Sequence, residues 1–435
     1  MLIKKIIKDN IVEIILFIAI FILTLSYNIV NTEPDLDNIW NFHMIQKVFL
    51  GYIPYKEINI LITPLFHFVG SIFMSIFGEN FISFYLIGST TFASIGVLLY
   101  KICKSYTQKS SFILFGISTF LLILTQYIYI PNYNSMILIF ILMLILLQWK
   151  QEAFIEKNKR ASNKNDFIIG IIMALCFLSK QTIGGFFCFI YLIYILIYNK
   201  KNLGNVDLKS LGIKLLGALS LIIPFLIYLI STESFMDFID LCFGGIIDFG
   251  KKNSTGTLFT WSTFIIVIAS AFGFMWFNSK RQEFKALILS MFAISSLIIA
   301  VPLSNNYHLY LSLIMSIPMI VWIFNTLYIN IESLKIKKWI NRICYIFGII
   351  LLIIFVKESI NIFKDFESQT LPEELKNYNG LSLGTEYVQD IQNVIEYIKQ
   401  KESEGYEVYI MSADASFYMI PMQRNNYKFD LMLQG

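Results

Sequence analysis

Four ionisable side chains, Asp35, Asp37, His43 and Glu57, fall within one polar stretch, residues 32–63, whose flanks on either side are almost continuously apolar. Carboxylates beside a bilayer are costly, so such a stretch reads as a working surface. An aspartate held there suits general-base work, taking the proton from a hydroxyl as that hydroxyl attacks. Asp35 and Asp37 also form a D-x-D, the pair that binds a metal and a nucleotide in many soluble transferases. The plainer reading makes Asp37 the N-cap of an interfacial helix over 38–50, with Trp40 and Phe42 at the headgroups.

Three further places carry chemistry. Lys180 and Gln181 sit in LSKQT (178–182), within an otherwise apolar hairpin. Fourteen residues of helix from Asp166 rise about 21 Å, which brings Lys180 to the far edge of a membrane. A lysine there either snorkels to the headgroups or meets a lipid phosphate. Tyr133 and Asn134 in PNYNS (131–135) make either a turn or a site wall, and His308 opens a late apolar run in NNYHLYLSLIMSIP (305–318). The segment 232–258 mixes Phe235, Phe238 and Phe243 with Asp237, Asp240 and Lys251, the pattern of an interface-lying element. His43 and His67 match no zinc spacing, the five cysteines form no CxxC, and no phosphate-binding or hydrolase motif occurs. Neither metal nor cofactor is expected.

The elements that must position these residues are membrane helices. Of the 435 residues 56% are hydrophobic and 15% charged, with mean hydropathy +0.65; soluble domains approach a quarter charged. The net charge of +4 is dispersed over short loops, which argues against nucleic acid as a partner. Apolar runs predict spans near 11–31, 81–100, 111–130, 134–149, 167–179, 184–199, 213–231, 259–277, 286–303, 307–329 and 342–357. Lys and Arg cluster in 1–8, 101–109, 150–164, 200–214, 278–285 and 335–342, which the positive-inside rule assigns to the cytoplasm. These loops alternate correctly only if the run 61–77, with Pro64 and His67, does not cross.

The expectation is an all-α polytopic protein of the cytoplasmic membrane, with about eleven spans, an uncleaved first span and a cytoplasmic N-terminus. Residues 1–357 form the membrane domain, with 32–80 as its first external loop. Residues 358–435 form a small extracytoplasmic α/β module, with a helix at 385–401 and a strand at 407–412, and its final residues carry no evident end signal.

A longer pattern organises the first loop. Asp37 is followed after fourteen residues by Gly51, which opens G-x-x-P-Y-K-E, and then by a T-P-L-F segment. In Asp37, Gly51, Pro54, Tyr55, Lys56, Glu57, Pro64 and Leu65 the chain resembles the GT-C integral membrane glycosyltransferases of the protein mannosyltransferase-like and aminoarabinose transferase-like type. The resemblance implies that Asp37 is the catalytic carboxylate and that a sugar on a polyprenyl phosphate is the donor. Relatives often carry Asp-Glu where this chain has Asp37-Asn38, which keeps Asp35 as second candidate. Lys180, Lys56 and Gln181 are then expected at the donor phosphate, and Glu57, Tyr55, Tyr133, Asn134 and His308 along the substrate. The implied activity is inverting transfer to a cell-envelope acceptor (protein, lipid or glycan) at the outer face, among membrane lipids. A transporter or lipid flippase is the rival class; it would favour repeats and charges near the midplane.

Overall fold

The computed structural model describes residues 10–30, 36–158, 160–202, 204–252, 255–256, 260–279, 283–364, 371–381, 383–412 and 414–425. Asp35 lies outside them. The chain opens with α1 (Ile11–Val30), α2 (Leu36–Phe49) and α3 (Leu65–Phe77). Then come α4 (Phe81–Lys104), α5 (Ser110–Ile123, prolonged by a π turn, Leu124–Ile128), α6 (Tyr133–Asn158), α7 (Asn163–Ser179), α8 (Gln181–Asn202) and α9 (Leu208–Ser231). Two short helices, α10 (Phe235–Ile239) and α11 (Ile246–Lys252), lead to α12 (Trp261–Asn278), α13 (Phe284–Ser295), α14 (Asn306–Ile314), α15 (Ile317–Asn330) and α16 (Leu334–Lys364). The tail adds α17 (Thr385–Ser403) and α18 (Ala415–Met422).

This is a multi-pass, all-α membrane protein. Each of the eleven expected runs is helical, but they are not equally long. Among the described residues seven helices are long and apolar enough to cross on their own, and α14 with α15, bent by 42°, makes an eighth. α5, α7 and α13 are apolar but shorter. The 17 residues of α7 rise about 25 Å, short of a hydrocarbon core of about 30 Å. α3 has 13 residues, about 20 Å, and is shorter still. Its Gly70 lies against Ile45 of α2, where a Cβ would come within 2.5 Å of the isoleucine side chain.

Two departures from expectation concern the tail. The expected boundary at 357/358 falls inside α16, which runs unbroken to Lys364. Residues 407–412 form no strand. A strand needs a ladder and one buried face; Tyr409 and Met411, on alternate positions, are both exposed. Two-residue strands, β1 (Thr255–Gly256) and β2 (Leu303–Ser304), pair in parallel elsewhere.

Several cores hold the molecule. The largest runs through the bundle, from Ile20 of α1 to Cys344 of α16. A second joins the first loop to the tail, with Ile39, Phe42 and Ile45 of α2 packed with Phe81, Tyr378, Ile391 and Ile420. A third joins Tyr55, Ile58 and Ile60 of the same loop to Phe225, Phe238 and Cys242. The first loop is therefore clamped between the tail on one side and the α9–α10 turn on the other.

The loop sequence explains its shape. Gly51 takes φ +96° just after α2, and the backbone N–H of Tyr52 returns to the Lys47 carbonyl at 3.0 Å. Glycine ends helices in this left-handed conformation at no steric cost. Tyr55 follows at φ 71°, unusual for a residue with a Cβ, and its hydroxyl is buried on the Ile62 carbonyl at 2.9 Å.

At the far end of α6 a second polar set locks the bundle. Lys214 of α9 is ion-paired with Asp166 of α7, both buried, and also donates to Ser210 Oγ at 2.6 Å. Gln151 of α6 donates to the same Asp166 carboxylate at 2.8 Å. The helices can approach because a Cβ on Gly217 would meet the Phe167 carbonyl oxygen at 2.1 Å.

Candidate active site

Residues from four separate segments converge at the opposite end of α6 from that ion pair. Seventeen residues separate Asn134 from Gln151, about 26 Å along the helix. The basic loops and the candidate site therefore occupy opposite ends of the bundle.

Lys180 is the centre of the arrangement. It is the single extended residue between α7 and α8, at φ −160° and ψ 113°, so its side chain leaves the helical hairpin sideways. The hairpin is tight: a Cβ on Gly184 would meet the Cys176 carbonyl oxygen at 2.1 Å. The Lys180 ammonium donates to Asn134 Oδ1 at 2.9 Å and stands 4.9 Å from the centre of the Tyr133 ring, a cation–π contact. Burial pulls its pKa down to about 8. An ammonium has three donors, and one is spent on Asn134.

Asn134 continues the chain. Its Oδ1 accepts from Lys180, so its Nδ2 donates, and at 3.5 Å it faces His308 Nε2. His308 Nδ1 donates to Asn305 Oδ1 at 2.7 Å, which leaves Nε2 as the accepting nitrogen. Asn305 also caps α14 by accepting from the His308 backbone N–H at 3.0 Å. The relay Lys180–Asn134–His308–Asn305 thus has one consistent direction.

Asp37 stands in the first turn of α2 and is exposed; the helix starts one residue before it, at Leu36, so it is not the N-cap that the sequence pattern suggested. Its charge is felt at the Tyr133 hydroxyl, which places it on the same side as the relay. The structure brings Tyr133, Asn134, Lys180 and His308 into contact, with Asp37 near enough for its charge to act on Tyr133. An exposed carboxylate, an ammonium with spare donors and a neutral imidazole can between them take a proton, bind a phosphate and orient an amide.

Other expected site residues are used differently. Lys56 pairs at 2.8 Å with Glu233, at an exposed position. Gln181 donates to the Leu61 and Cys242 carbonyls at 2.8 and 2.7 Å and accepts from the Thr63 N–H at 3.1 Å. It holds the first loop to the α7–α8 hairpin. Tyr55 is buried in the loop's own core, and Glu57 accepts from the Ile53 N–H at 2.7 Å at the surface. The G-x-x-P-Y-K-E pattern is thus loop architecture, with its tyrosine inside and its charges outside. Asp35 lies outside the described residues. No group of three His, Cys, Asp or Glu side chains gathers in metal-binding geometry among the described residues.

What the sequence did not disclose is the tail's share. His43 Nε2 faces the Arg424 carbonyl at 3.2 Å and so carries the proton; Nδ1 accepts from the Ser416 hydroxyl at 2.9 Å. Burial, and after it the Lys47 charge, hold the His43 pKa well below the usual imidazole range. Glu79 gathers amide donors from Gln46, Asn377 and Gln423. These contacts seat α18 against the second half of α2, at His43 and Gln46.

Comparison with known proteins bears on the fold. Residues 62–228 match the family described as dolichyl-phosphate-mannose-protein mannosyltransferase. ArnT from Cupriavidus metallidurans, in a structure bound to undecaprenyl phosphate, superposes with a TM-score of 0.54 at 11% identity, over 94% of this chain and 74% of that one. Its apo form gives 0.53 with the same coverage. The Archaeoglobus fulgidus oligosaccharyltransferase gives 0.57 at 11% identity, over 95% of this chain and 64% of that one. No curated protein sequence matches the chain.

Proposed function

We propose, from the premise that this chain has the GT-C fold of integral membrane glycosyltransferases, that it moves a sugar from a polyprenyl-phosphate donor to a cell-envelope acceptor. The observation that carries the reading is the convergence of an exposed carboxylate, Asp37, with the Lys180–Asn134–His308 relay at one end of the bundle. Undecaprenyl phosphate, found bound to the Cupriavidus metallidurans ArnT, is a ligand of the kind the relay suits: a lipid carrying an anionic phosphate.

Asp37 takes the proton from an acceptor hydroxyl as its oxygen attacks the sugar C1. The bond from C1 to the phosphate oxygen breaks on the opposite face, so the anomeric centre inverts. The polyprenyl phosphate leaves as an anion and needs no strong general acid. Lys180 stabilises the charge that develops on it, and Asn134 and His308 hold Lys180 in place. A single carboxylate suits this better than the paired carboxylates of retaining chemistry. The basic loops lie at the other end, which under the positive-inside rule supports a site at the outer face of the cytoplasmic membrane.

The test uses the full chain in bilayer discs with a labelled polyprenyl-phosphate hexose and a membrane extract as acceptor source. The reading expects label in a larger product and release of polyprenyl phosphate in equal amount. Label that stays on the donor lipid with every hexose and pentose offered would refute it.

A further inference from the structure

A cavity of about 320 Å³ lies between the start of α2 and the tail, lined by Leu36, Tyr387, Asp390, Asp414, Phe417 and Tyr418. We propose that this cavity is the acceptor subsite, and that it takes the acceptor by a sugar ring. Leu36 is the chain neighbour of Asp37, so the cavity borders the helical turn that carries the base. The Lys180 relay reaches Asp37 from the bundle side through Tyr133, while the cavity reaches it from the tail side. Donor and acceptor then approach the carboxylate from different elements, as a direct displacement requires.

The lining speaks for a sugar. Tyr387 is 58% exposed and presents an aromatic face that no core demands. Tyr418 lines the same cavity and is half-buried; its pKa is raised by burial first and then by the charges of Asp414 and Asp390. Aromatic faces take the C–H faces of a pyranose, and carboxylates accept from its hydroxyls. A lone ammonium also suits carboxylates, but it fills little of 320 Å³ and makes no use of the two tyrosines in the lining. Volumes of this order suit small ring-shaped ligands. α18, which supplies Phe417 and Tyr418, is held in place by the His43–Ser416 and Gln46–Ile420 hydrogen bonds at 2.9 Å each. The cavity is therefore built only when the tail is docked.

The inference rests on the glycosyl-transfer reading for its meaning but is tested by binding, not by turnover. The full chain in detergent is titrated with methyl glycosides of glucose, galactose, mannose and N-acetylglucosamine, with saturation-transfer NMR as the readout. At least one glycoside is expected to receive saturation, with affinity falling about tenfold in Tyr387→Ala and in Asp390→Asn. Both positions are exposed, so neither change endangers the fold. Tyr397→Ala, an equally exposed tyrosine of the same helix outside the cavity, is expected to bind as the parent does. Saturation of none of the four glycosides, binding that survives both substitutions, or displacement of the glycoside by millimolar n-butylammonium would overturn the proposal. Intact glycoside binding in a protein that fails to transfer sugar would instead count against the catalytic reading alone.

Discussion

The Lys180 ammonium donates to Asn134 Oδ1 at 2.9 Å, joining residues 46 positions apart in sequence. Because Asn134 also faces His308, the lysine is held by a side chain that is itself held. With Lys180 at the leaving phosphate, Lys180→Met is expected to lower donor turnover by about 10²–10³-fold. Lys180→Arg should restore part of it, since the charge returns but the reach changes.

The same lysine sets a pH dependence. Burial lowers its pKa from the ordinary lysine range to about 8, so the free enzyme loses the ammonium as pH rises through about 8. kcat/KM for the donor should fall over that range, and Lys180→Arg should flatten the fall. The stability sign is opposite: keeping the buried ammonium charged costs folding free energy below about 8, so stability should rise between about pH 8 and 10.5. Parallel kinetic and thermal-unfolding profiles check both.

Asn134→Leu removes both arms of the relay while keeping the side chain's size. Donor KM is expected to rise about tenfold, the order of one hydrogen bond to a charged group. Expression and melting temperature should change little by comparison. An unchanged KM would mean that Lys180 needs no positioning.

The inner ion pair makes a separate, purely structural prediction. Lys214→Ala leaves the buried Asp166 carboxylate without its cation and is expected to destabilise by about 3–5 kcal/mol. The double change Lys214→Met with Asp166→Leu should recover most of that loss. Unfolding in detergent measures it, and the surviving folded protein should retain donor affinity, since the pair lies about 26 Å from Asn134.

Docking of the tail should weaken in acid. His43 is held neutral by burial and by Lys47, with a folded pKa well below 6.5. Its contribution is present above about 6.5 and is lost as pH falls toward the folded value. Glu79, raised by burial, works in the opposite sense. Hydrogen exchange in α18 should therefore accelerate on acidification in the parent and less so in His43→Gln, which keeps a polar side chain but does not titrate.

The membrane helices were legible because apolar runs and Lys/Arg loops are local signals; α3 stood apart for the same reason, as a short run beginning at Pro64. Asp37, Tyr133, Asn134, Lys180 and His308 were legible as types out of place beside a membrane. Their mutual contacts were not, because Asn134 and His308 are 174 residues apart. Tyr55, Lys56 and Gln181 were misplaced for a related reason: a motif discloses which residues matter, not whether they serve the loop or the ligand. The tail was misread as carrying a strand because alternation at 407–412 says nothing about a partner. Its docking through His43 and Ser416, 373 residues apart, left no local trace.

The central claim is that Asp37 is the base of a sugar transfer from a lipid phosphate. Its most direct test is single-turnover transfer by Asp37→Asn in bilayer discs, with labelled donor bound before acceptor is added. Transfer is expected to fall by about 10²–10⁴-fold while donor affinity, held by Lys180, stays within about twofold. Transfer at the parent rate with donor bound would contradict the account.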